Sequence, residues 1–254
     1  MIRPRIIPTL LINNGNLVKT KKFSEPRYLG DPINAIRIFN EKFVDELCVL
    51  DITASKVGKE PDYELLGKMA SEAFMPLSYG GGINTIDQMK QIFRIGFEKI
   101  IINTASLKQD GLIRQASEYF GSQSIVCAID YKNGVFGSFC YINDGNTKVK
   151  ITPLERALKA EKEGAGEVLL YSINNDGMGE GYDLRTIEKV TKSVTIPVIA
   201  CGGAKEISDI KMALASGADA VAAGSMFVFY GKKQAVLINY PEEKEFISRG
   251  IYQD

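Results

Sequence analysis

The chain has 254 residues, 45% of them hydrophobic, and 31 basic side chains balance 31 acidic ones for a formal net charge of zero. That length supports a full core and matches a single eight-stranded α/β barrel of about 250 residues, while the balanced charge supplies no general field for nucleic acid or an anionic membrane. No run approaches the roughly 18 apolar residues of a membrane span, and Met1 to Pro8 lacks the apolar core of a secretory leader, so a cytoplasmic protein is expected.

Cys48, Cys127, Cys140 and Cys201 have no CxxC spacing, and at least two fall inside strand-like runs, so they read as small buried hydrophobes rather than metal ligands. There is no histidine, which leaves acid–base work to carboxylates, Lys, Tyr or Cys and disfavours zinc. Neither a metal nor a cofactor is expected.

In chain order, apolar runs occur at Ile6 to Ile12, Glu46 to Ile52, Leu77 to Tyr79, Lys99 to Asn103, Ile125 to Asp130, Glu167 to Ile173, Val198 to Cys201 and Ala220 to Gly224. Between them lie amphipathic segments with apolar residues at helical spacing: Pro32 to Lys42, Tyr63 to Ala73, Ile86 to Arg94, Gly111 to Phe120, Pro153 to Glu163, Leu184 to Lys192 and Glu206 to Ser216. This alternation predicts parallel βα units, and eight strands predict a (β/α)₈ TIM barrel occupying residues 1–254 as one domain. Gly96, Gly121, Gly164 and Gly217 fall where helices should end in the left-handed conformation.

An internal repeat sharpens this reading. Gly202 and Gly203 in ACGGA follow Gly81 and Gly82 in YGGGI by 121 residues, and the same offset relates Gly224 and Ser225 to Asn103 and Thr104, and Ser172 to Asp51. The barrel therefore reads as two four-stranded halves. Glycine pairs after an apolar run let backbone amides approach a ligand, and barrels often bind phosphate after strands seven and eight. Gly202, Gly203, Gly224 and Ser225 fit one such site and Gly82, Asn103 and Thr104 a second, which suits an elongated ligand with a phosphate at each end. The bland alternative is a set of tight turns.

Three other stretches bear on function. Asn174 to Asp183 (NNDGMGEGYD), with the turn signal Asp176–Gly177, is a loop placed to line the pocket or merely to turn the chain. Asn13 to Leu29, carrying Lys19, Lys21, Lys22 and Arg27, reads as a mobile lid over an anion or as a solvated loop. Arg5, Glu46, Lys99 and Glu167 stand at the starts of strands one, two, four and six; if they point inwards they must pair, closing a pore along the barrel axis, and otherwise they are surface ion pairs.

RIIPTLL, DELCVLDITAS, YGGGI, KIIINTASL, VCAID, GAGEVLLYSINNDGMGEGYD, ACGGA and AAGSMF together resemble the cyclase subunit of imidazole glycerol phosphate synthase, the HisF family, over nearly the whole chain. The resemblance implies a barrel that docks a glutaminase on its N-terminal face, receives ammonia through the barrel and joins it to a ribonucleotide bearing two phosphates. It implies phosphate contacts at Gly82, Asn103, Thr104, Asp176, Gly177, Gly203, Gly224 and Ser225, an ammonia gate of Arg5, Glu46, Lys99 and Glu167, and a place for Lys19 on a mobile catalytic loop.

The departure lies at the chemistry. The family's ring closure uses an aspartate at the end of strand one as base and another at the end of strand five as acid; this chain has Leu11 and Asp130 there, and bulky Tyr171 replaces a small hydroxyl residue after strand six. The pattern is similar to HisF-like paralogues of acetamidino-sugar modification in bacterial surface (lipo)polysaccharide biosynthesis, in which a HisH-like glutaminase and the barrel supply ammonia to an ATP-using sugar amidotransferase. The resemblance thus implies an ammonia-channelling subunit with a phosphorylated small molecule in its mouth. The alternatives are a histidine-biosynthesis cyclase (a lyase) whose base is replaced, and a non-catalytic phosphate-binding barrel. Asp130 and Lys19 are the catalytic candidates.

Overall fold

The computed structural model describes residues 3–231 and 233–252; Met1 and Ile2, part of the stretch read for a leader, lie outside them. The chain opens with β1 (Arg5–Asn13), which continues into an antiparallel hairpin, β2 (Asn16–Lys21) and β3 (Ser24–Gly30). α1 (Pro32–Glu41) leads to β4 (Leu47–Asp51), then α2 (Ala54–Val57), α3 (Tyr63–Glu72), β5 (Leu77–Gly80), α4 (Ile86–Ile95) and β6 (Lys99–Ile102). α5 (Thr104–Lys108) and α6 (Leu112–Phe120) precede β7 (Ile125–Gly134), which folds back as β8 (Gly137–Ile142) and β9 (Thr147–Lys148). The second half comprises α7 (Pro153–Lys162), β10 (Glu167–Ser172), α8 (Leu184–Thr191), β11 (Val198–Cys201), α9 (Ile207–Ala215) and β12 (Ala220–Ala223). α10 (Ser225–Val228), the short pair β13 (Phe229–Tyr230) and β14 (Ala235–Val236), and α11 (Glu243–Ser248) complete it.

β1, β4, β5, β6, β7, β10, β11 and β12 pair in parallel, and the contacts of β12 with β1 and of β7 with β10 close the sheet into a (β/α)₈ barrel. The closure separates two apolar regions. One lies between strands and helices, with Ile6, Leu10, Val49 and Ile100 among its members; the other fills the barrel with Ile7, Cys48, Ile101, Val126, Leu169 and Ile199. Alternate residues of one strand face opposite ways, so a parallel strand in a barrel must be apolar on both faces.

The helices begin where their caps dictate. Asp31 accepts from Ile33 N ahead of Pro32, while Thr85 with Gln88 and Thr152 with Glu155 form reciprocal capping boxes. All four cap glycines have positive φ, at 121° for Gly96, 87° for Gly121, 94° for Gly164 and 98° for Gly217. The half-barrel repeat appears in backbone detail. Asn103 and Gly224 hold matching torsions, φ −119° and ψ −85° against φ −110° and ψ −70°, each turning a strand into a short helix.

Two elements correct or complete the sequence reading. Asn13 to Leu29 is not an irregular loop: Leu11 pairs with Val18, and β2 pairs with β3. The strand ending at Asp130 runs on through Tyr131 to Gly134 and turns through Val135 and Phe136 into β8, an excursion the sequence reading left unassigned. The β-prone run Phe139, Cys140, Tyr141, Ile142 after a turn bounded by Gly134 and Gly137 was its signal.

Candidate functional site

Charged residues close the N-terminal end of the barrel. Arg5 reaches Glu46 at 2.6 Å and Glu167 at 2.6 Å, while Lys99 reaches the same two carboxylates at 2.9 and 3.1 Å. Inward-facing side chains from different strands meet at a barrel's axis, so these four residues from four strands form one ring of alternating sign. Both carboxylates are nearly inaccessible, at 4% and 12% side-chain exposure. Their charges are tolerable because each has two cationic partners. The surface ion-pair alternative does not describe this arrangement.

Directly above the ring lies a cavity of about 10 Å³, lined by Glu46, Ile7, Cys48, Ser78, Ile101 and Leu169 among others. That is about one water-sized sphere. Thr9 Oγ1, buried in β1, has no hydrogen-bond partner among the described residues.

At the opposite end, the loops after the strands form the mouth. Asp130 lines a cavity of about 100 Å³ together with Leu11, Gly82, Asn103, Thr104 and Asp144. The Asn103 side-chain amide donates to Asp130 at 2.7 Å and to the Tyr141 carbonyl at 3.3 Å. Burial draws the Asp130 carboxyl up to about 7, against the stabilising Asn103 hydrogen bond and with a further push from Asp144. Burial also draws Asp144, carried in by the turn between β8 and β9, up to about 7. Sequence reasoning missed Asp144, since an Asn-Asp-Gly turn gives no sign of which cavity it overhangs. Leu11 lines the cavity at the end of strand one and offers no proton-transfer group.

The β2–β3 hairpin crosses the mouth and is held there by Asp176. Its carboxylate accepts from Thr20 Oγ1 at 2.7 Å, Phe23 N at 3.2 Å and Tyr171 Oη at 2.8 Å, and its carbonyl accepts from Lys22 N at 2.9 Å. Gly177 follows with φ 67°; a Cβ there would stand 2.1 Å from the Thr20 carbonyl, so glycine is needed where loop and hairpin touch. Lys19, expected on a lid, is 4% exposed and donates through Nζ to the Thr9 carbonyl at the top of the barrel interior. Burial lowers its ammonium to about 8, partly offset by Asp176.

A second cavity, about 220 Å³, lies on the far side of the hairpin and is lined by Lys19, Lys21, Arg27, Gly177 and Ser225. The residues expected around phosphate thus separate into two groups: Gly82, Asn103 and Thr104 at the first cavity, Gly177 and Ser225 at the second. Gly203 and Gly224 line neither, Gly203 packing against the Gly181 carbonyl and Gly224 against the Lys19 side chain. The Asp176 carboxylate is spent on the hairpin.

A closed α/β barrel with a paired charge ring below and two cavities at its mouth places the chain in the class of (β/α)₈ barrel proteins. Residues 5–234 match the model of the family described as histidine biosynthesis protein. The chain is 51% identical over 244 residues to a protein provisionally named imidazole glycerol phosphate synthase subunit hisF2 in Pseudomonas aeruginosa, covering 95% of this chain and 97% of that one. It is 48% identical over 250 residues to a provisionally named HisF subunit of Leptospira interrogans (96% and 98% covered), and 41% identical over 226 residues to the imidazole glycerol phosphate synthase subunit HisF of Streptomyces griseus (89% and 90%). The chain belongs to the HisF family of imidazole glycerol phosphate synthase subunits. Among the described residues, no helix is long and apolar enough to cross a membrane.

Proposed function

We propose that this barrel is the ammonia-channelling subunit of a glutamine-dependent complex and does not itself close an imidazole ring. The observation that carries the reading is the contrast between its two ends. The charge ring is complete, with each of its four members paired, and opens onto a small cavity on the barrel axis. The mouth has Leu11 at the end of strand one, where ring closure needs a base, and bulky Tyr171 at the end of strand six. A positioned carboxylate contributes about 10² to 10⁴ in rate, which leucine cannot supply.

In this reading a HisH-like glutaminase docks on the N-terminal face, and Arg5, Glu46, Lys99 and Glu167 gate the entry of ammonia. The acceptor is a separate sugar amidotransferase of the acetamidino type, acting in surface-polysaccharide biosynthesis. Ammonia is neutral and about the size of water, so a narrow, mostly apolar bore passes it while excluding ions, whose desolvation is costly.

A second reading, the ring-closing lyase of histidine biosynthesis, is favoured by one specific observation. Asp144 brings a second carboxyl group into the cavity of Asp130, and burial pushes both up to about 7. Two such groups satisfy the acid–base requirement without an aspartate on strand one.

The deciding experiment gives the purified chain the bis-phosphate ribonucleotide and an ammonium salt, and in parallel couples it to its glutaminase and a sugar amidotransferase. Amidination that depends on glutamine and on the barrel, with no ring closure, supports ammonia delivery. Ring closure at an ordinary cyclase rate, abolished by Asp144→Asn, would establish the lyase. Failure to stimulate a glutaminase at all would leave the phosphate-binding barrel.

A further inference from the structure

Thr104 and its repeat mate Ser225 line different cavities, and the partition between them is built from this chain's own side chains. Tyr171 rises from the barrel interior at the end of β10 and meets Phe23 of the hairpin edge-on, with ring centroids 4.8 Å apart. The Tyr171 hydroxyl, the Thr20 hydroxyl and the Phe23 amide all converge on the carboxylate of Asp176. Among the described residues, Thr20 alone lines both cavities.

The cavities also differ in charge. Among the described residues, the first is lined by Asp51, Asp130 and Asp144 and by no Lys or Arg. The Asn103 side-chain amide already serves Asp130 and the Tyr141 carbonyl, and the Thr104 hydroxyl accepts from Asn143 N at 3.0 Å and keeps one proton to donate. A phosphate brought there would face three acidic side chains, while the lysines that act on them, Lys56 and Lys132 on Asp144 and Lys59 on Asp51, stand outside the lining. Among the described residues the second cavity presents Lys21, Arg27, which also donates to the Gln234 carbonyl, and the Ser225 hydroxyl against the carboxylate of Glu25. Lys19 is in its lining while the Lys19 ammonium donates to the Thr9 carbonyl; this cationic donor set suits a phosphate.

We infer that Tyr171 and Phe23 are specificity-determining residues: they divide the mouth, so that it takes one phosphate group, that of a monophosphate ester, in the strand-eight cavity and rejects a linear bis-phosphate. The inference deepens the reading of the mouth as unfit for ring closure, but it concerns ligand span and stands apart from whether ammonia passes below.

Calorimetric titration of the full chain with ribose 5-phosphate and with fructose 1,6-bisphosphate tests it. The expected result is one monoester site per chain, weakened at least tenfold by Ser225→Asp, with the bis-phosphate bound no more than about threefold more tightly than the monoester. In a triple variant, Tyr171→Ser, Phe23→Ala and Asp144→Asn, the bis-phosphate should gain at least tenfold over the monoester. Tyr171→Phe, which keeps the ring and loses only the hydroxyl, should show no such gain. A wild-type preference for bis-phosphate of tenfold or more, no monoester binding at millimolar concentration, or a folded triple variant with unchanged preference overturns the inference. Glutaminase-coupled ammonia transfer, measured separately, reports on the ammonia reading alone, so the two can fail independently.

Discussion

Substitution of Lys99 by Met removes one cation from a ring of two cations and two carboxylates. Glu46 and Glu167 then share only Arg5, which reaches each at 2.6 Å, and a negative charge is left uncompensated where Glu46 is 4% exposed. Breaking a buried pair by removing one partner costs about 3 to 5 kcal/mol. The partial exposure of the Arg5 side chain, 27%, admits water and argues for the lower end, about 3 kcal/mol. For a chain of this size that lowers the melting temperature by roughly 6 to 12 °C. Glu46→Gln should cost a similar amount by the converse route. The double variant keeps the neutral Arg5–Glu167 pair, so it should be less destabilised than the sum of the singles by about 1.5 to 3 kcal/mol. Chemical denaturation of the four proteins of the cycle measures this coupling. Single costs below about 1 kcal/mol that add within 0.5 kcal/mol would refute the reasoning, since they would place the ring in water, where ion pairs contribute little. Lys99→Met should also uncouple glutamine hydrolysis from ammonia transfer in the complex, with ammonia appearing in solution.

Other consequences can be checked singly. The Lys19 ammonium is drawn from 10.5 to about 8 by burial, so folding favours its neutral form; the penalty is full below about 8 and gone above 10.5. Lys19→Met should therefore stabilise the protein at pH 7 by about 2 kcal/mol, after the lost Thr9 hydrogen bond is set against the relief, and the gain should shrink as pH rises from 8 to 10.5 in denaturant titrations. Asp176→Ala removes the acceptor of three hydrogen bonds, and amide exchange in Asn16–Lys21 should speed at least tenfold while exchange in β5 and β6 stays unchanged. Installing Leu11→Asp in the triple variant without the Tyr171–Phe23 partition should raise ring-closing turnover at least 10²-fold over that variant, read by product chromatography. No rise would mean that more than a base and an open mouth is missing.

The sequence made the barrel legible because its strands are apolar on both faces and its helices carry explicit punctuation at Asp31, Thr85, Thr152 and the cap glycines. The repeat was legible too, since a tight turn such as Gly202–Gly203 is recorded in the residues that make it. The two hairpins were harder. Asn13 to Leu29 has little apolar alternation in its second strand, where Ser24 to Tyr28 is exposed, and its pairing is enforced by Asp176, more than 150 residues away in the chain. The charge ring depended on geometry that only barrel closure supplies. Four charges at four strand starts suggest a ring, yet whether they meet is decided by strand tilt. Asp144 and the Tyr171–Phe23 contact lay furthest beyond reach, because each arises where an excursion from one strand overhangs the end of another.

This asymmetry bears on how the mouth is to be understood. Leu11 alone reads as the loss of a catalytic base, which one substitution would reverse. The structure adds a bulky ring at Tyr171, a hairpin tied to it through Asp176, and a carboxylate at Asp144 facing the cavity where a phosphate was expected. A lone loss of the base would leave the site able to bind its old ligand and unable to turn it over. On the proposed division, the mouth rejects that ligand in the first place, so the parent chain and its Leu11→Asp variant should both fail to be inhibited, or to be stabilised against heat, by the bis-phosphate. A rise in melting temperature of several degrees at millimolar bis-phosphate, in either protein, would show that the old site survives and that the change at Leu11 stands alone.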